Sequence, residues 1–133
     1  MLYFDSGDLD RAKDFLEQAL RVAQQHQEGL FMEAPSRIGL GRTLAKIDPW
    51  SEEAEIQIRR GIRMAEERGV KPHVANGYHF LGELLAARGE REMARESLGK
   101  AVAIYEKIGQ EAGIDSWLTQ AQAALRKLVE EEK

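Results

Sequence analysis

Tyr78-His-Phe-Leu-Gly-Glu-Leu-Leu-Ala-Ala-Arg-Gly-Glu-Arg-Glu-Met-Ala94 decides the fold. Tyr78, Leu81 and Leu85 are large, apolar and spaced for one face of a helix, and Leu98 resumes the series further on. Gly82 and Ala94 are small residues set among them. Arg88-Gly89-Glu90 is a polar break between the two halves. This predicts a helix, a tight turn and a second helix, with small residues where the backbones approach closely.

The pattern recurs outward from this stretch. Ala12, Ala54 and Ala94 each follow a polar turn. Four residues on stand Leu16, Ile58 and Leu98; seven on, Ala19, Gly61 and Ala101. Eight on stand Leu20, Ile62 and Val102; eleven on, Ala23, Ala65 and Tyr105. These offsets trace one helical face, with small residues at the same level each time. The period is about 40 residues, in the range of helical solenoids.

The elements follow in order. A first helix spans about Asp8 to His26, with Asp8 as its N-cap. Leu2-Tyr3-Phe4 before it fit the last turn of a preceding helix, so the sequence reads as a fragment that starts inside a repeat. A second helix spans about Leu30 to Lys46, with Pro35 as an alternative start. Asp48 caps a third helix, Pro49 takes its first position, and Gly69 ends it. Pro72 to Arg88 and Glu90 to Ile108 form the next pair, and Gly109 to Gly113 is a break. Asp115 or Ser116 caps a last helix to about Glu130, with Trp117, 39 residues after Tyr78, marking it as another first-of-pair helix. The tail Glu130-Glu131-Glu132-Lys133 is polar, as a closing helix requires. The expectation is one all-α domain over residues 1–133: a repeat fragment (1–28), repeats at 29–69 and 70–112, and a closing helix at 113–133. It is a right-handed superhelix of about three helix pairs plus that helix.

Composition narrows the function classes. The 133 residues are 43% hydrophobic and 32% charged, with no cysteine. A disulfide framework and a thiolate metal site are therefore excluded, and the chain reads as cytoplasmic. The net charge of −4 argues against nucleic acid, and no apolar run is long enough for a membrane span. Gly39-Leu-Gly41-Arg-Thr43 lacks the Gly-Lys-Ser/Thr ending of a phosphate loop. His73 and His79 point to different sides of one helix, and His26 is remote in sequence. Asp5, Asp8 and Asp10 lack the glycine and glutamate of a calcium loop. The expectation is no enzyme, no cofactor and no metal.

The glycine and alanine positions of these pairs resemble the tetratricopeptide repeat. Tyr78, Leu81, Gly82, Leu85, Gly89, Ala94, Leu98 and Ala101 follow its pattern, and Ile38, Leu40, Gly41 and Leu44 follow it in the preceding unit. The period is longer than the family's common 34 residues. The proline usual near the end of the second helix is missing from every unit. The ending Asp115-Ser-Trp-Leu-Thr-Gln-Ala-Gln-Ala-Ala-Leu-Arg-Lys-Leu128 is similar to the C-terminal repeats of bacterial signalling ATPases and nucleotide cyclases. The resemblance implies a protein–protein interaction scaffold within a larger bacterial regulator, whose first-of-pair helices line a concave, peptide-binding groove. Its groove positions fall on Asn76, His79, Glu83, Ala86 and Ala87, and on Arg42 and Lys46 in the earlier unit. The alternative is self-association, with Tyr3, Phe4 and Phe15 seeking a second chain.

Overall fold

The computed structural model describes residues 6–25, 30–112 and 115–131. Expectations resting on Tyr3, Phe4, His26 and the side chain of Trp117 lie outside what is described. The fold is all-α, as expected. The helices are α1 (Ser6–Gln25), α2 (Leu30–Ile47), α3 (Glu52–Arg68), α4 (Lys71–Ala87), α5 (Arg91–Ala112) and α6 (Asp115–Glu131). Each packs against its chain neighbour. In addition α2 touches α4, and α4 touches α6, whereas α1, α3 and α5 do not touch one another. The first-of-pair helices thus form a continuous inner row, and the second-of-pair helices fan out behind it.

Glycine sets the close crossings within each pair. A Cβ on Gly82 would lie 2.5 Å from Cγ of Leu98, and one on Gly41 would lie 2.6 Å from the carbonyl oxygen of Ala54. Ala54 and Ala94 are 0% exposed at these crossings. Ile58, Leu81, Leu85 and Leu98 close the core around them. Gly77 performs the same task between pairs, where a Cβ would collide with Ile62.

The turns after α3 and α4 are built alike. Gly69 and Gly89 have φ of 71° and 80°, the left-handed region that glycine enters at least cost. The amide of the following residue donates back across the turn, Val70 to the Ala65 carbonyl and Glu90 to the Leu85 carbonyl. The glycine amides donate to Glu66 and Ala86. This double hydrogen bond satisfies carbonyls that a helix end leaves open.

The structure departs from the sequence reading in four places. Helix α1 starts at Ser6, which puts Asp8 inside its first turn rather than at its N-cap. Ser51, rather than Asp48, caps α3: its Oγ accepts from the Ala54 amide at 3.2 Å. Asp48 instead closes the preceding turn, its Oδ1 accepting from the Trp50 amide at 3.0 Å. Helix α5 runs through Gly109 to Ala112, because the break expected at Gly109 starts only after its last turn. The fourth is the register of α6. Leu118, Ala121, Leu125 and Leu128 pack on α4 and α5, in the places held in α4 by Val74, Gly77, Leu81 and Leu84. Ala121 is wholly buried in one cluster with Ala75, Ala101 and Tyr105, and this burial, rather than the match of Trp117 to Tyr78, sets the register.

An arginine fastens the two complete pairs together. Arg88, at the end of α4, donates from Nε to the Pro49 carbonyl at 2.6 Å and from NH2 to the Ser51 carbonyl at 2.8 Å. Its NH1 pairs with Glu55 on α3. Glu55 also accepts from Arg59 at 2.7 Å. The Arg59 hydrogen bond, aided by Arg88, holds the Glu55 carboxyl below its ordinary pKa against the opposing effect of burial.

Candidate functional site

The inner row carries two hollows that meet. The first, about 250 Å³, is lined by Arg42, Ala45 and Lys46 of α2, Pro49 of the turn, and Phe80, Glu83, Leu84 and Ala87 of α4. The second, about 300 Å³, lies between α4 and α6 and shares Glu83 and Ala87 with the first. Lys127 of α6 stands on its far side. Together they form a groove across three helices of the inner row.

Of the seven positions expected in this groove, five line the two hollows: Arg42, Lys46, Glu83, Ala86 and Ala87. Arg42 lies over the Phe80 ring, with its guanidinium carbon 4.3 Å from the ring centroid. This fixes a cation over an aromatic face, a contact of about 0.5–2 kcal/mol. Its Nε is buried and meets no hydrogen-bond acceptor among the described residues.

Asn76 and His79 are placed differently. The side-chain oxygen of Asn76 accepts the hydroxyl proton of Tyr105, a fully buried residue of α5. His79 is 2% exposed, packed against Phe80 and edge-on to Tyr105. The reason lies in the helix: α4 is buried on most of its circumference, so only a narrow strip of it reaches the groove. Burial lowers the His79 pKa, Glu83 draws it up in part and Arg42 pushes it down again. Burial raises the Tyr105 hydroxyl pKa, and Glu83 adds to the rise. Both groups are therefore neutral at neutral pH, as expected of side chains that hold two helices together.

Sequence reasoning missed Phe80 and Lys127. Phe80 gave no signal, since its partner Arg42 is on another helix. Lys127 was concealed by the register of α6. With α6 aligned on Ala121, Lys127 occupies the place that Glu83 holds in α4 and Arg42 holds in α2. One groove position thus reads positive, negative, positive along the inner row. Among the described residues, no three of His, Asp and Glu gather as a metal site. No helix among them is long and apolar enough to cross a membrane.

Residues 74–108, which span the α4–α5 pair, match a family model described as Tetratricopeptide repeat. Residues 1–26 match a second model of the same description. No curated protein and no solved structure matches the chain.

Proposed function

We propose that this tetratricopeptide-repeat domain holds an extended peptide of a partner protein along the row Arg42, Glu83, Lys127. Tetratricopeptide repeats mediate protein–protein interaction and are typically non-catalytic scaffolds. The observation that carries this reading is Arg42: a guanidinium fixed over Phe80, lining a hollow, with a buried Nε that finds no acceptor. The partly exposed remainder of the guanidinium lines the hollow, where a carboxylate of a bound peptide would pair with it. Packed helices lie about 8–10 Å apart, and a peptide in the polyproline II conformation advances about 3.1 Å per residue with every third side chain on one face. Successive helices of the row therefore meet side chains about three residues apart. The complementary peptide is acidic, then basic, then acidic, at that spacing.

Panning a display library of random peptides against the purified domain tests this. Enriched peptides are expected to carry that pattern. Arg42→Gln is expected to deplete them, and Glu83→Lys to shift enrichment toward peptides with acidic residues at all three places. Enrichment indifferent to both substitutions would refute the groove. We further propose, from the likeness of the last helix, that the domain serves within a larger bacterial regulatory protein. Self-association is the competing reading, supported by the exposed Phe15. A sedimentation series showing a monomer at every concentration removes it.

A further inference from the structure

The charge row is accompanied by apolar surface. The hollow between α2 and α4 is floored by the buried side chains of Phe80 and Leu84 and walled by Ala45, Pro49 and Ala87. The hollow between α4 and α6 is floored by the buried Leu98 and Leu128 and walled by Ala86, Ala87 and Ala124. Ala87 is exposed and belongs to both.

The repeat puts the two hollows at one level. Ala45 and Ala86 are equivalent, each four residues after the crossing glycine, Gly41 or Gly82. They stand three residues beyond Arg42 and Glu83, about one helical turn. The hollows therefore open on one side of the charge row, toward the C-terminal ends of the inner helices. In α6 the exposed Glu130 takes the place of Ala86, and the series stops there.

Charge alone holds a short peptide poorly. Arg42 is partly exposed, and Glu83 and Lys127 are exposed. Ion pairs in such a setting are weak and screened by salt. Burial of apolar side chains supplies what they lack. In the polyproline II conformation each third residue returns to the same face, and the two between turn aside by about 120°, one to each side. With charged residues on the row, one of each intervening two faces the hollows.

We propose that the two hollows are sockets for large aliphatic side chains of the same peptide, one between each pair of its charged residues, and that Ala87 keeps both open. This rests on the peptide reading of the groove and narrows its partner. The peptide reads acidic, apolar, x, basic, apolar, x, acidic, or the same with apolar and x exchanged, according to chain direction.

Fluorescein-labelled Glu-Leu-Pro-Lys-Leu-Pro-Glu and Glu-Pro-Leu-Lys-Pro-Leu-Glu, which cover the two directions, are titrated against the full chain by anisotropy beside Glu-Ser-Pro-Lys-Ser-Pro-Glu. At least one leucine peptide is expected to bind about tenfold or more tighter than the serine peptide. Ala87→Gln, at an exposed helix end, should melt as the parent does and remove that preference. Arg42→Gln should weaken every peptide that binds. Leucine peptides no tighter than the serine peptide, or a preference that survives Ala87→Gln, overturns the sockets and spares the charge row. A preference lost in Ala87→Gln with binding indifferent to Arg42→Gln supports the sockets and overturns the charge row. No saturable binding by any peptide overturns both.

Discussion

Replacing Gly41 by alanine sets two physical effects against each other. In an exposed helix the change is favourable, because alanine exceeds glycine in helix propensity by about 0.5–1 kcal/mol. Here the new Cβ would lie 2.5 Å from Cγ1 of Ile58, 2.6 Å from the Ala54 carbonyl oxygen and 3.0 Å from the Ile58 amide nitrogen. Carbon contacts are most favourable at about 3.5–4.0 Å, so α2 and α3 must separate by much of an ångström. Two of the three obstacles are backbone atoms, which no rotamer change can move aside. Overpacking of this kind costs about 1–3 kcal/mol, giving a net loss of about 1–2 kcal/mol. At Gly82 the nearest atoms belong to the Leu98 side chain, and the Ala94 carbonyl is 3.3 Å away, so the loss should be smaller. At Gly99 nothing lies within 4 Å, and alanine should stabilise. Thermal and urea unfolding followed by circular dichroism are expected to rank the proteins Gly99→Ala, parent, Gly82→Ala, Gly41→Ala, most stable first. Roughly 4 °C in Tm corresponds to 1 kcal/mol at this chain length. A Gly41→Ala protein as stable as the parent would refute the close crossing.

Arg88→Gln should lower stability by about 1–3 kcal/mol, since it removes a nearly buried cation from Glu55 and two carbonyls; Arg88→Lys should not restore it, because an ammonium cannot span the three acceptors. A urea midpoint for Arg88→Lys equal to that of the parent would contradict the fork. Acidification should destabilise the domain in two windows. His79 and His73 have folded pKa values lowered from 6.5 by burial, so the unfolded chain takes up protons first and stability falls as pH drops below 6.5. Glu55 has a lowered folded pKa, so its contribution is present above 4.5 and is lost as pH falls through the folded value. Urea midpoints across this range check both, and His79→Gln should flatten the first window.

The sequence announced the fold because the packing rests on local necessities. A glycine or alanine must stand at each crossing, and Gly41, Gly82, Ala54 and Ala94 were legible at fixed offsets. Gly69 and Gly89 were legible for a similar reason, since the left-handed turn admits few other residues. What was not legible depended on distant partners. Asp48 and Ser51 are both good caps, and the choice between them is made in a turn that Arg88 clasps from another pair. The groove was read in part. Arg42, Lys46 and Glu83 follow from the groove positions that the repeat resemblance implies, whereas Asn76 and His79 are drawn inward by Tyr105. Lys127 required the true register of α6.

The outer helices α1, α3 and α5 do not touch, while the inner helices do. Any low-energy flexing of the domain therefore pivots on the inner row, where apolar surface would be lost on separation, and swings the outer helices most. Arg42, Glu83 and Lys127 sit on that pivot. Their mutual distances change least as the domain breathes, so a partner held along the proposed row would meet a charge spacing that keeps its scale while the body around it moves.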